Sequence, residues 1–272
     1  MDNKIIHEKQ DLTHLKWSFF RHSSGTAGSF LKAYSDLDGV KKYYKISSYD
    51  SVRGIFGHEC ANEIIADRLL TLLGIEHVPY QLILADVIIE DKKYETYLCV
   101  SEDFKKTGEK KIAFDVFYQM NRKKNESPLS FCDRMGWRNQ VDAMLLIDYL
   151  ILNRDRHGAN IEVLKNELSK SIRLAPLFDH GLSLIFSCIT EEQAELFDVM
   201  EDKPVQSFVG SSSTFENLKL ITEAPDLHNL NEKEFEYLLY SLDDVLSKKH
   251  LDKIKEMIER RWCFYENMRD SR

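Results

Sequence analysis

The sequence predicts an α+β fold in two lobes, a β-rich one over residues 1–103 and a helical one over 104–272. Three observations lead there. Short apolar runs broken by turn residues fill the first hundred positions, helical spacing dominates after about residue 112, and composition shifts between Glu102 and Thr107. A chain of 272 residues is long enough for a large core. With 43% hydrophobic and 30% charged residues, and only 11 Gly and 5 Pro, it is an ordered globular chain.

The elements follow in order. "LKWSFFRHSSGTAGSFLKAYSDLDGVKKYYKIS" (15–47) reads as antiparallel strands joined by a small-residue loop containing Gly25 and Gly28, then a turn at 36–39. In "GHECANEIIADRLLTLLG" (57–74), Ala61, Ile64, Ile65, Leu69, Leu72 and Leu73 fall at helical spacing and Gly74 suits a C-terminal cap. Residues 78–104 read as two or three strands around the "EDKK" turn. Helices are expected over roughly 112–121, 137–152, 190–200 behind a Thr190/Gln193 box, 231–246 behind Asn231 and Glu234, and 248–269. Two short strands, 161–165 and 172–175, flank "KNELSK", and "GSSSTFEN" (210–217) reads as a loop.

Composition narrows the function. A formal net charge of −8 argues against a nucleic-acid partner, because phosphate-backbone binding relies on clustered Lys and Arg. Cys60, Cys99, Cys132, Cys188 and Cys263 are odd in number and contain no C-x-x-C pair, which suggests a reducing compartment without a disulfide framework or zinc knuckle. "MDNKIIHEKQ" lacks the apolar stretch of a secretory signal. The run "AMLLIDYLIL" is too short to span a bilayer and contains Asp148, so a cytoplasmic protein with no membrane span is expected.

The chemistry concentrates in "LILNRDRHGANIEVL" (150–164), where an apolar helix stops in a polar island before a strand resumes. Asp155 and Asn160 have the spacing that a phosphoryl-transfer loop uses between its base and its metal-binding amide. Asp179 in "FDHG" follows beyond a hairpin. A hard Mg²⁺ wants oxygen ligands, and a second carboxylate must meet the attacking hydroxyl. Upstream, Lys45 sits on a predicted strand after the "SSGTAGS" loop, as a phosphate-anchoring lysine should, with Glu63 as its partner or Glu59 as the substitute. Other readings stay open: a turn whose polar groups only satisfy backbone, or a transition-metal site of Asp155, His157, Asp179 and His180. His157 braces the loop or acts as a base, and Arg154 and Arg156 clamp phosphate or pair within the fold.

These motifs together resemble the HipA-like serine/threonine kinases, bacterial members of the protein-kinase-like fold. "NRDRHGAN" looks like that family's N-x-D-x-H-x-x-N, and "LAPLFDHG" resembles its L-x-P-x-[YF]-D segment. "YYKIS" and "ANEIIADRLLTLLGI" resemble its lysine strand and its glutamate helix. A more distant similarity exists to phosphoinositide 4-kinases. The resemblance covers about residues 23 to 184 and implies ATP and Mg²⁺ as cofactors. By it, Asp155 is the catalytic aspartate, Asn160 and Asp179 are the Mg²⁺ ligands, and Lys45 is the phosphate anchor paired with Glu63. Gly25, Gly28 and Ser29 belong to the phosphate loop, whose Ser23, Ser24, Thr26 and Ser29 are candidate autophosphorylation sites. Cys99, Val100, Ser101 and Glu102 form the adenine hinge. The acceptor implied is a protein Ser or Thr, the alternatives being a small molecule, a phosphoinositide, or no acceptor in a nucleotide-binding interaction module. Only about 20 residues precede the glycine loop, where full-length HipA toxins carry an extra subdomain, so an antitoxin-type partner has no support in the sequence.

Overall fold

The computed structural model describes residues 4–20, 29–37, 39–222 and 230–271. Gly25 and Gly28 lie outside the described residues, as do Ser23, Ser24 and Thr26. Strands β1 (Ile5–Asp11), β2 (Ser18–Phe20), β3 (Ser29–Leu37), β4 (Val40–Asp50) and β5 (Gly54–Ile55) lead into helix α1 (Glu59–Leu72). Strands β6 (Tyr80–Ile89) and β7 (Lys92–Glu102) follow. They form one sheet in the order β1-β6-β7-β4-β3-β2, with β5 added to β4 and β1 parallel to β6. The alternation in β4 and β7 turns Tyr44, Ile46, Leu98 and Val100 into an apolar cluster with Leu31 and Val87.

The rest of the chain is mainly helical. β8 (Glu109–Ala113) runs into α2 (Phe114–Asn121), followed by α3 (Pro128–Met135), α4 (Arg138–Leu150) and β9 (Asp155–Arg156). Then come β10 (Glu162–Asn166), β11 (Ser171–Leu174), α5 (Glu191–Leu196), β12 (Gln206–Ser207), α6 (Thr214–Lys219), α7 (Glu232–Leu239) and α8 (Lys248–Asp270). β8, β10 and β11 make a small sheet, while β9 pairs in parallel with β12. A large core joins α1, α4 and α8 through residues such as Leu69, Leu145 and Ile258, so α1 is packed against both halves of the chain. The fold is α+β, as the pattern predicts.

The differences have local causes. The helix expected from 112 starts at Phe114, because Ile112 and Ala113 pair with Val163 and Glu162 in the small sheet. The helices expected to reach residues 200 and 246 stop at Leu196 and Leu239, where the next backbones turn extended or irregular. β1 and α3 escape the sequence pattern; α3 carries a Ser127 cap and Pro128 at its first position, with Gly136 at φ 74° ending it. "GSSSTFEN" is half helix, because the Ser213 hydroxyl accepts from the Glu216 N–H and starts α6. Gly158 marks the tightest approach near the polar island: a Cβ there would lie 2.5 Å from Asp115 Cβ of α2. Gly158→Ala is expected to destabilise the protein by about 1–3 kcal/mol in urea unfolding, and an unchanged midpoint would mean α2 does not press on this loop.

Candidate functional site

α4 ends without glycine. Leu152 takes φ 48° and Leu184, facing it on the later segment, takes φ 56°, conformations a bulky side chain adopts only when its surroundings hold it there. The two segments are zipped by backbone bonds: the Leu184 N–H donates to Ile151 O at 2.5 Å and the Arg154 N–H to Leu182 O at 2.9 Å. Arg156 is the pin between them. Its Nε and Nη2 hold the Asp148 carboxylate at 2.9 and 2.8 Å, and Nη1 donates to the carbonyls of Asn160 (3.1 Å) and Phe178 (3.0 Å). Arg156 is thus paired within the fold, and Arg154 Nε donates to the Pro204 carbonyl at 2.7 Å.

Within this frame Asp155 is 8% exposed. Burial pushes its carboxyl above the usual range; His157, with Nε2 3.7 Å from Oδ2, works against the rise and the Asp179 charge adds to it. His157 also braces its own loop, Nδ1 accepting from the Ala159 N–H at 3.2 Å. The Asn160 amide donates to Asp155 O at 2.7 Å, which commits its nitrogen and leaves the carbonyl oxygen as the accepting end.

Lys45 of β4 meets Asp179 and Glu63. Its Nζ lies 2.5 Å from Asp179 Oδ1 and 3.1 Å from Glu63 Oε1. Burial would strip the proton from Lys45, but the two carboxylates overcome it and hold the ammonium well above its ordinary value. Burial would also raise Asp179; Lys45 and Lys32 outweigh it and hold that carboxyl far below the usual range. Glu63 is fully buried and is pushed upward, with Lys45 offsetting only part. The competing glutamate, Glu59, turns away and accepts from the Ser48 hydroxyl at 2.5 Å.

α1 also holds the Asp179 segment directly. The Glu63 carboxylate accepts from the His180 N–H at 2.8 Å, and the Asn62 amide donates to Gly181 O and Ser183 O at 2.9 Å each. Asp179 itself sits at φ 57°, a conformation Asp tolerates better than most residues, and its N–H donates to Tyr80 Oη at 3.3 Å.

A cleft of about 210 Å³ opens over this cluster, lined among others by Lys32, Lys45, Tyr80, Phe104, Glu162 and Asp179. Cys99, Ser101 and Glu102 of β7 border it, while Val100 borders a neighbouring cavity. Cys99 to Ser101 pair with β4 on one side and β6 on the other, while Glu102, beyond the last β6 pair, is paired with β4 alone. Ser29 opens β3, and its backbone pairs with Tyr49. Sequence reasoning gave no role to Lys32, Tyr80, Asn62 and Glu162; Asn62 carried a signal in the N-E pair of its helix motif, and Lys32 and Glu162 as charges inside apolar strands.

Asn160 and Asp179 supply one amide carbonyl and one carboxylate, the donor chemistry that suits Mg²⁺. Among the described residues no three or more His, Cys, Asp or Glu side chains converge as a ready-made metal cage, and Mg²⁺ held largely by phosphates does not require one. Asp155, His157, Asp179 and His180 likewise do not converge as such a set among the described residues. Among the described residues no helix is long and apolar enough to cross a membrane.

No protein-family model and no curated protein sequence matches the chain. Solved structures do. The Helicobacter pylori proinflammatory kinase CtkA superposes with a TM-score of 0.58 at 14% identity, covering 93% of this chain and 94% of that one. The chain has the kinase fold. Two looser likenesses are HipA in a Shewanella oneidensis HipA–HipB–operator DNA complex (TM-score 0.42, 14% identity, 93% of this chain, 68% of that one) and a Neurospora crassa PAN3 pseudokinase mutant (0.34, 13%, 97% and 67%). In the kinase fold of this chain, the Lys45 cluster lies between the large sheet and the polar island.

Replacing Lys45 isolates two carboxylates. Lys45→Met is expected to cost about 3 kcal/mol at neutral pH, because Glu63 loses the cation it is bonded to and Asp179 keeps only Lys32, 4.0 Å away. Their folded-state pKa values then rise above the unfolded ones, so the native state of the variant binds more protons and its deficit shrinks as pH falls from 7 toward 4. Paired denaturant titrations at the two pH values check this; a deficit independent of pH would refute the charge origin.

Proposed function

We propose that the chain is a Mg-ATP-dependent kinase that transfers the γ-phosphoryl group to a hydroxyl, with a protein serine or threonine as the acceptor. The observation that carries this is the meeting of Lys45, Glu63 and Asp179, from β4, α1 and a loop 134 residues beyond Lys45, at a cleft, with Asp155 near enough to feel the charges of Asp179 and Lys45. Lys45 would anchor phosphate oxygens, and Asp179 would serve the cation. Glu63 keeps Lys45 extended. Asn160 and Asp179 donate oxygens to Mg²⁺, which when bound neutralises charge on the phosphates. Asp155 orients the acceptor hydroxyl and takes its proton as the new O–P bond forms and the β–γ bridging oxygen leaves with ADP. The HipA-like motif order supports the same assignment.

Purified protein with Mg-ATP is expected to release ADP or gain phosphoryl mass, and Asp155→Asn or Asp179→Asn is expected to lower the rate by at least about 100-fold while remaining folded. Full activity in either variant would remove the assignment. If no ADP appears with any acceptor while Mg-ATP at about 100 times its Kd still stabilises the fold by about 2.7 kcal/mol, the chain binds nucleotide without turnover.

Because Asp155 must be ionised and burial raises its pKa, kcat/KM should fall as pH drops, with the acid limb above the ordinary carboxylate range. His157 favours the ionised form, so His157→Ala should move that limb to higher pH. A limb that stays or moves down would show that Asp155 does not set it.

A further inference from the structure

Asp67 is a buried carboxylate of α1 to which the proposed chemistry gives no part. It stands one turn beyond Glu63 and gathers the connector that leads from α1 to β6. Its Oδ1 accepts from the Tyr80 N–H at 3.0 Å and lies 3.2 Å from His77 Nε2, while Oδ2 accepts from Lys4 Nζ at 2.5 Å. His77 Nδ1 closes back on Ile75 O at 2.7 Å, so both ring nitrogens are used within the connector and its anchor.

The connector in turn grips the segment that carries Asp179. The Leu177 N–H donates to Glu76 O at 3.1 Å and the Val78 N–H to Leu177 O at 2.8 Å, two residues ahead of Asp179. Tyr80 Oη then accepts from the Asp179 N–H at 3.3 Å. Past Asp179 the hold passes to Glu63 and Asn62, which bond the backbone of His180, Gly181 and Ser183. α1 thus holds Asp179 from both sides, through its own side chains after it and through the connector before it. A φ of 57° at a residue with a side chain persists only where its surroundings over-determine it, and the Tyr80 bond is the one made to that residue's own N–H.

We infer that Tyr80 and Asp67 are positioning residues for Asp179, holding its carboxylate where it can serve a divalent cation, an assignment that rests on the nucleotide reading of the cleft. Neither group meets the cation itself. Tyr80 acts through the Asp179 backbone. Asp67 acts through Tyr80 and His77, and it is not among the residues that line the cleft.

Calorimetry of ATP binding with Mg²⁺ and with EDTA tests this, the readout being the ratio of the two Kd values. Native protein is expected to bind at least about 10-fold more tightly with Mg²⁺. Tyr80→Phe, which removes the hydroxyl and keeps the ring, should lower that gain by about 5-fold while binding in EDTA stays within about 2-fold. With Asp179→Asn as the background, Tyr80→Phe should change the gain by less than about 2-fold, an outcome that a merely structural role for the hydroxyl would not give. Asp67→Asn keeps an acceptor for the Tyr80 N–H, drops the charge that Lys4 meets, and should lower the gain in the same direction. If Tyr80→Phe does not fold, Asp67→Asn decides by the same comparisons. A gain left unchanged by either folded variant, an equal loss in the Asp179→Asn background, or no gain from Mg²⁺ in native protein overturns the assignment while leaving nucleotide binding intact. No ATP binding under either condition removes the nucleotide reading, and the positioning role with it.

Discussion

The fully buried guanidinium of Arg156 is the contact on which the rest of the site depends. Alone, such a charge in the interior would be strongly unfavourable. It persists because Asp148 meets it through two nitrogens and two backbone carbonyls take a third. Those carbonyls belong to Asn160 and Phe178, neighbours of the residues that carry the chemistry, so satisfying one buried cation fixes the polar island against the Asp179 segment. α4 supplies the anchor, since Asp148 projects from a helix that is otherwise packed in the large core.

A second network, built on Lys45, ties this frame to the sheet. It differs from the first in being partly accessible and in holding one cation between two carboxylates, an arrangement that a competing cation and an incoming phosphate can rearrange. α1 makes the connection possible. It is buried on every side over Glu59–Leu70, and its charged residues are met from several elements: Glu63 by Lys45, Asp67 by Lys4, Arg68 by the carbonyls of Leu238 and Tyr240. Movement of α1 would therefore reach the cleft, the sheet and α7 together.

Much of the candidate site was legible because its residues sit in short local patterns. The Asp155–Asn160 spacing is set by one loop, and Lys45 lies on a strand whose alternation is visible in the sequence. The partnership of Lys45 with Glu63 rather than Glu59 was left open, since both lie on one helix. Which faces β4 depends on how α1 packs, and Ser48 captures Glu59. Asp148 within "AMLLIDYLIL" was the signal that a buried charge needed a cation, yet nothing local says that it would be Arg156 rather than Arg154.

Apolar periodicity and turn chemistry by themselves determined the α+β class, the helices at α1, α4 and α8, and the order in which the polar groups appear. Tertiary structure alone decided the direct Lys45 to Asp179 contact, the Asn62 and Tyr80 bonds to the Asp179 loop, and the placing of Lys32 and Glu162 in one cleft. Each of these joins residues far apart in the chain. Periodicity records which side of an element faces the interior, whereas a long-range pair depends on how several elements pack at once.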